Sequence, residues 1–404
     1  MAKHLHVFGA LIASGLLFES GPAFAQNKNG PGVTDTEILI GQTNPYSGPL
    51  SAYGTQGRAE TAYYNMINEE GGVNGRKIKL LSLDDGYSPP KTVEQHRRLV
   101  ESDEVLGVIG TMGTPTNSAI VKYMNSKGVP HIFIATGASK WGDYKDFPWT
   151  MGWYPTYRSE GAVYGKYIRE NLKNARIAIL SQNDDYGKDF VAGFKAGLGD
   201  AADKLVVKEL TYEVSEPTVD SQIITLKASG ADVLFSASTA KAAAQTIRKV
   251  AELDWHPTHF LVQNANSIAT VLTPAGLENS KGLISTAYIK DPRDPQFVND
   301  EGIKWYVDFM KKYYPEGDLN DPQNEIGVSI AATFVQVLKQ CGNDLSRENL
   351  LAQANSIKDL ELPLLLPGIK LNTSAQDHYP IEQFQLVKFD GRTWSRFGDV
   401  LTSN

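Results

Sequence analysis

The sequence predicts an α/β protein built of two doubly wound units, each an open, mostly parallel sheet with helices on both faces. Three observations predict it. Apolar strand runs alternate with amphipathic helical stretches from Ile38 to Ala135, the alternation restarts after an aromatic, proline-broken tract at 141–157, and 404 residues suit two α/β domains better than one.

Ile38 to Thr43 reads as the first strand. Gln56 to Glu70 reads as a helix in which Ala59, Ala62, Tyr63 and Met66 recur on one face before Gly71-Gly72 ends it. Ile78 to Leu83 is the next strand, and Pro90 to Ser102 the next helix, opened by Pro89-Pro90 and carrying Arg97 and Arg98 where the helix dipole favours cations. Val105 to Ile109 is an apolar run typical of a strand buried on both faces, followed by the small-residue turn Gly110-Thr111-Met112-Gly113-Thr114. Thr114 is placed as an N-cap and Pro115 as the first helical residue, with Ala119, Ile120, Tyr123 and Met124 on one face until Gly128. Pro130 to Ala135 returns as a strand and ends in Thr136-Gly137-Ala138-Ser139.

The tract WGDYKDFPWTMGWYPTY, 141–157, is too aromatic and too proline-broken for a regular element and reads as a crossover between the two units. The second series then runs helix 159–171, strand 176–180, helix 187–197, strand 205–210, helix 220–229, strand 233–235, helix 240–253 and strand 259–262. Leu283 to Ala287 is a strand entering a second crossover at Asp291-Pro292-Arg293-Asp294-Pro295. Helices at 300–313, 325–340 and 347–356 follow, then a β-rich tail with Phe384 to Phe389 and a turn at Asp390-Gly391.

Function enters at the strand ends. Two consecutive parallel strands finish in Thr/Gly-rich turns free of Lys and Arg, and ligands of open α/β sheets bind at such ends. This favours a small-molecule pocket over a phosphate cradle, and no GxxxxGK(S/T) motif is present.

Composition narrows the classes further. A net charge of −7 with no basic block argues against nucleic acid and anionic membrane as partners. The first 25 residues read as a signal peptide, with Lys3 as the n-region, Val7 to Phe18 as the apolar core and Ala23-Phe24-Ala25 before a cut at Gln26. Cys341 is the only cysteine, so no intrachain disulfide forms, and it is expected to be a small buried side chain on a helix. GxSxG, HExxH, CxxC pairs and GxGxxG are absent, so the chain does not read as an enzyme, and no cofactor is implied. No metal site is expected at His256 and His259, and Asp84-Asp85 reads as a solvated loop.

The motifs Tyr46-Ser47-Gly48-Pro49-Leu50-Ser51-Ala52-Tyr53-Gly54, Asn68-Glu69-Glu70-Gly71-Gly72-Val73-Asn74-Gly75-Arg76 and Val108-Ile109-Gly110, in that order, resemble the solute-binding proteins of ABC importers. The likeness is to the leucine/isoleucine/valine branch, with the type I periplasmic-binding fold, and extends from about Thr34 to near the C-terminus. It implies two Rossmann-like lobes joined by three crossovers, one holding 34–153 plus 288–365 and the other 154–287 plus 366–404, that close on one ligand by a hinge motion. It implies a component that delivers its ligand to a membrane permease and ATPase; with the signal peptide the location is periplasmic, and a monomer is the default. A soluble sensor module of the same fold is the alternative.

Carried onto this chain, the resemblance assigns Tyr53 to cover the ligand, with Tyr46 the weaker choice. Gly113 and Thr114, with Gly137 and Ser139 and their neighbours Thr136 and Ala138, would hold a ligand carboxylate, and Tyr186 would approach from the second lobe. Where amino-acid binders of the branch carry an acidic residue for the ligand ammonium, this chain has Asn264 or Asn266, and an amide offers no full charge. Asp184 or Asp185 could substitute. The aromatics Trp141, Trp149, Trp153, Tyr154 and Tyr157 turn the expectation toward an aromatic acid, with a hydrophobic amino acid kept open, and Tyr154 is the one placed in the cleft.

Overall fold

The computed structural model describes Met1 and residues 28–402, so the signal-peptide reading at 1–25 lies, Met1 apart, outside the described residues. β1 (Glu37–Asn44), β2 (Lys77–Asp84), β3 (Val108–Ile109), β4 (His131–Ile134) and β5 (Thr150–Gly152) form a parallel sheet in the order β2-β1-β3-β4-β5. Helices α1 (Gly54–Glu69), α2 (Pro89–Arg97) and α3 (Thr114–Ser126) connect its strands.

The second sheet repeats that winding. After α4 (Tyr157–Asn171) come β6 (Ile177–Gln182), β7 (Val206–Tyr212), β8 (Val233–Ala237), β9 (Thr258–Leu261) and β10 (Ile284–Ala287), interleaved with α5 (Asp185–Leu198), α6 (Asp220–Ala228) and α7 (Ala240–Glu252). Two antiparallel strands, β11 (Gln383–Phe389) and β12 (Trp394–Thr402), extend it to the order β7-β6-β8-β9-β10-β11-β12. Between β10 and β11 the chain makes α8 (Glu301–Tyr313), α9 (Pro322–Cys341) and α10 (Arg347–Ala354), and α9 packs along α1 of the first unit, where Gly327 meets the Gln56 backbone. The chain thus passes between the units three times. In each sheet the order reverses next to its first strand, and those two switch points are where a ligand of such a sheet binds.

The helix layer of the second unit depends on glycine. Gly161 and Gly165 of α4 lie against the backbone of Phe190 and Phe194 on α5, and Gly193 and Gly197 of α5 lie against the backbone of Arg158 and Ala162 on α4. Any Cβ at these four sites would enter a facing carbonyl, so the two helices touch backbone to backbone. That close approach sets where their N-termini, carrying Tyr157 and Tyr186, meet the cleft.

Three expectations are corrected. Gly113, at φ 101°, holds the N-cap position of α3, and Thr114 is its first helical residue with no capping bond. The turn needs a positive φ that glycine adopts freely, and Thr114 directs its hydroxyl to Thr136 instead, 2.5 Å away. The strand expected from Val105 narrows to Val108–Ile109, with the Val105 N–H turned back to the Leu99 carbonyl in the preceding helical segment and Leu106 making only a single bond to β1, at Leu39. The tract at 141–157 is not wholly irregular: Thr150–Gly152 adds β5 to the sheet edge, and Trp141 and Trp153 are fully buried core, the latter donating from Nε1 to Thr333 Oγ1 at 3.0 Å. Cys341 ends α9 as a buried thiol.

Candidate functional site

The carboxyl ends of both sheets face one another across a narrow, largely closed cavity. The first unit contributes Tyr53 from the loop after β1, Tyr87 from the loop after β2, Met112, Gly113 and Thr114 from the turn after β3, and Ala135 after β4. Tyr154 and Tyr157 come from the crossover and the start of α4. The second unit contributes Tyr186 from the start of α5, and Thr239 and Asn264 from the segments after β8 and β9.

Five tyrosines therefore surround the space, and no lining residue carries a charge at neutral pH. Burial holds their phenols neutral, that of Tyr157 pushed up to about 12. Tyr157 stacks on Phe190 at 4.5 Å and meets Tyr186 edge-on at 5.0 Å. The Tyr154 hydroxyl donates to Gln56 Oε1 at 2.8 Å, and that of Tyr186 lies 3.1 Å from both Asn264 Oδ1 and the Ser238 carbonyl. Opposite the rings, the Thr114 and Thr116 N–H groups in the first turn of α3 have no intrahelical acceptor, Pro115 between them carries no N–H, and the Thr114 hydroxyl sits beside them. An anion is favoured there by the open N–H groups and the helix dipole.

The two units touch directly through Tyr53. Its hydroxyl donates to the Asn264 carbonyl at 3.0 Å and accepts from the Ala240 N–H at 3.0 Å, at the start of α7. Further bridges at the rim are Lys140 to Asp185 at 2.7 Å and the Ser139 hydroxyl to Asp189 at 2.9 Å. The conformation is closed.

Of the residues expected from the sequence, Tyr53, Gly113, Thr114, Tyr154, Tyr186 and Asn264 meet in this cavity, and Thr136 stands behind it, bonded to Thr114. Gly137, Ala138, Ser139 and Asn266 do not line it. The Gly137 carbonyl accepts the Tyr157 N–H, and Ala138 is buried in the core. Ser139 gives both its N–H and its hydroxyl to Asp189, a carboxylate brought opposite it by α5. Asn266 turns away to Ser285 and Thr286, with its carbonyl held by Trp394 Nε1 at 3.0 Å. Tyr46 is also elsewhere, its hydroxyl on Ser82 and its ring under Arg58.

Neither carboxylate considered for an ammonium is free. Asp184 caps α5 through the N–H groups of Tyr186 and Gly187 and accepts from Gln182 Nε2 at 2.6 Å, while Asp185 pairs with Lys140. Tyr87, Met112, Ala135, Tyr157 and Thr239 complete the lining without having been assigned a place there. Tyr87 and Thr239 also follow strand ends, so extending the strand-end argument to β2 and β8 finds them. Among the described residues no group of three His, Cys, Asp or Glu could hold a metal ion. His259 is buried on Ser236 Oγ, while His256 faces Asp254 in solvent. Asp85 is not solvated: it is buried, accepting from the Tyr87 N–H and the Thr92 hydroxyl.

Behind the second-unit wall lies Glu160, whose Oε1 accepts from Tyr164 Oη, the Gln263 N–H and Thr286 Oγ1 at 2.7–3.0 Å. Burial outweighs these donors and raises its pKa from 4.5 to about 7. The unfolded chain then releases this proton first, so the contribution of Glu160 to stability declines as pH rises from about 4.5 to 7 and levels off above. Asp321, raised to about 6 by burial, acts in the same direction. Glu160→Gln keeps the accepting oxygen without the charge and is expected to flatten the fall in Tm between pH 5 and 8, measured by calorimetry.

Among the described residues no helix is long and apolar enough to cross a membrane. The profile of the periplasmic binding protein family matches residues 37–393. A Leu/Ile/Val-binding protein homolog 1 of Brucella abortus is 27% identical over 294 residues, 69% of this chain and 73% of that one. A branched chain amino acid ABC transporter protein of Thermus thermophilus with bound valine superposes with a TM-score of 0.81 at 15% identity, covering 92% of this chain and 97% of that chain. An ABC transporter solute binding protein of R. palustris in complex with benzoate gives 0.76 at 20% identity, covering 91% and 98%. The family match over most of the length, the two sheets with one winding and the cleft between their switch points agree: the chain belongs to the periplasmic binding protein family, in its Leu/Ile/Val-binding branch with the two-lobed type I fold, a family of binding proteins rather than enzymes.

Proposed function

We propose that this chain is the exported, periplasmic solute-binding component of an ABC importer, working as a monomer that captures a small aromatic carboxylate and delivers it to a permease and ATPase in the inner membrane. The N-terminal leader, 1–25, directs export. The ligand carboxylate sits at the start of α3 against Gly113 and Thr114, and its ring lies among Tyr53, Tyr87, Tyr154, Tyr157 and Tyr186.

The observation that carries the ligand class is the cavity lining itself: tyrosine faces, a helix start, and no carboxylate to pair an ammonium. Asn264 occupies the second-lobe wall with an amide, and Asp184 and Asp185 are held by other partners. An α-amino acid would bury its ammonium unpaired, which costs several kcal/mol. The benzoate complex of a protein with the same fold is consistent with a planar acid in such a cleft. Closure around a nearly buried ligand supports affinity in the micromolar to nanomolar range, about −8 to −12 kcal/mol.

A thermal-shift titration tests this. Benzoate is expected to raise Tm and leucine to leave it unchanged, and Thr114→Ala should remove most of the benzoate shift. A large shift with leucine or valine and none with benzoate overturns the ligand class.

A further inference from the structure

A second, partly open cavity lies beside the crossover after β10 and shares no lining residue with the tyrosine-lined one. One wall comes from the second unit, with Gln263, Asn266 and Ile268 after β9 and Val387 and Trp394 on β11 and β12. The facing wall is Leu319 to Glu325, the approach to and first turn of α9, which belongs to the helix layer of the first unit. The Ala269 N–H donates to the Asn320 carbonyl at 3.3 Å and joins the two walls.

Glu325 is the unexplained group. It is 1% exposed and lines the cavity, and the one side-chain donor beside its carboxyl is the Tyr306 hydroxyl, at poor hydrogen-bond geometry to Oε2. Asp291 and Asp321 add like charge nearby. The lining cation, Lys290, is engaged elsewhere, with its Nζ 2.8–2.9 Å from the Asp300 carboxylate and 2.7 Å from the Pro363 carbonyl. Burial and these acids push the Glu325 carboxyl well above its ordinary range, a cost that a cation in the cavity would relieve.

We propose that this cavity is a second ligand site, which takes a small amphipathic primary amine with its ammonium on Glu325 and its apolar body against Ile268, Ile289, Leu319 and Trp394. An ammonium supplies charge-assisted donors beyond the single Tyr306 hydroxyl beside Glu325, and the apolar walls accept a hydrocarbon chain or ring. Because its walls come from both units, an amine bound there favours the closed form and couples to the first site.

The test is isothermal titration of the purified chain with phenethylamine and with 2-phenylethanol, its neutral counterpart. The amine is expected to bind at least about tenfold tighter than the alcohol, as charge-assisted hydrogen bonds imply. Glu325→Gln should reduce the amine to the level of the alcohol. Leu319→Trp, which fills the cavity from its half-buried mouth, should abolish binding of both. Benzoate binding, followed in parallel, reports on the tyrosine-lined cavity, so failure at either site is seen separately. Absence of amine binding at millimolar concentration, equal affinity for amine and alcohol, or an unchanged amine affinity in folded Glu325→Gln overturns the proposal.

Discussion

Gly165→Leu is expected to destabilise the second unit severely. The new Cβ would enter the Phe194 carbonyl on α5, and neither helix can withdraw without opening the contact that Gly161, Gly193 and Gly197 make on the same seam. Overpacking against a movable side chain typically costs 1–3 kcal/mol. Here the obstacle is backbone on both sides, so the loss should reach about 4 kcal/mol or more, a large share of a domain's whole stability. Denaturant melts followed by circular dichroism check this. The contrast is Gly342→Ala, where a Cβ would meet nothing within 4 Å and only the backbone strain at φ 58° opposes it, with an expected loss of about 1–3 kcal/mol. Equal losses at the two sites would show that α4 and α5 are not locked by their glycines.

The second large effect concerns closure. Tyr53→Phe keeps the ring over the cavity but removes the hydroxyl that accepts the Ala240 N–H and donates to the Asn264 carbonyl. With the lobes apart these two groups face water, and with the lobes closed they become buried and unpaired. Each unsatisfied group costs about 1–3 kcal/mol, and the cost falls on the closed form alone. Ligand affinity is therefore expected to fall at least about 30-fold, the low end of the two costs summed, while the Tm of the unliganded chain hardly moves. Calorimetric titration gives the affinity. An unchanged affinity would mean that Tyr53 only covers the ligand and does not hold the lobes together.

Much of this architecture was legible in the sequence because it rests on local pattern. Strands such as β4 and β8, buried along their whole length, read as continuous apolar runs, and α1 and α5 read through their periodicity and their stops. The strand-end argument led to Gly113 and Thr114, and the family likeness to Tyr53 and Tyr186. The aromatic tract shows where local reading stops. Trp141, Trp149, Trp153, Tyr154 and Tyr157 look alike in sequence, yet only the two tyrosines line the cavity, while Trp141 and Trp153 fill the core. Aromatic side chains serve either role, and the choice depends on what packs against them from distant segments, such as Thr333 on α9 for Trp153.

Ser139 shows the same limit from the polar side. A hydroxyl at a strand end is equally able to meet a ligand or a protein acceptor, and Asp189, fifty residues on, claims it only once the lobes face each other. The amide at Asn264 was visible as a missing charge, but that Asp184 and Asp185 do not replace it follows from their bonds to the α5 cap and to Lys140. The sequence by itself determined the two α/β units, the alternation of their elements and the turns from which a site is made, because periodicity, glycine and proline act over a few residues. Which of those turns meet across the cleft, which carboxyls are left unpaired and which glycines let α4 touch α5 were decided only by the tertiary structure, because each depends on groups tens to hundreds of residues apart whose distance no local preference sets.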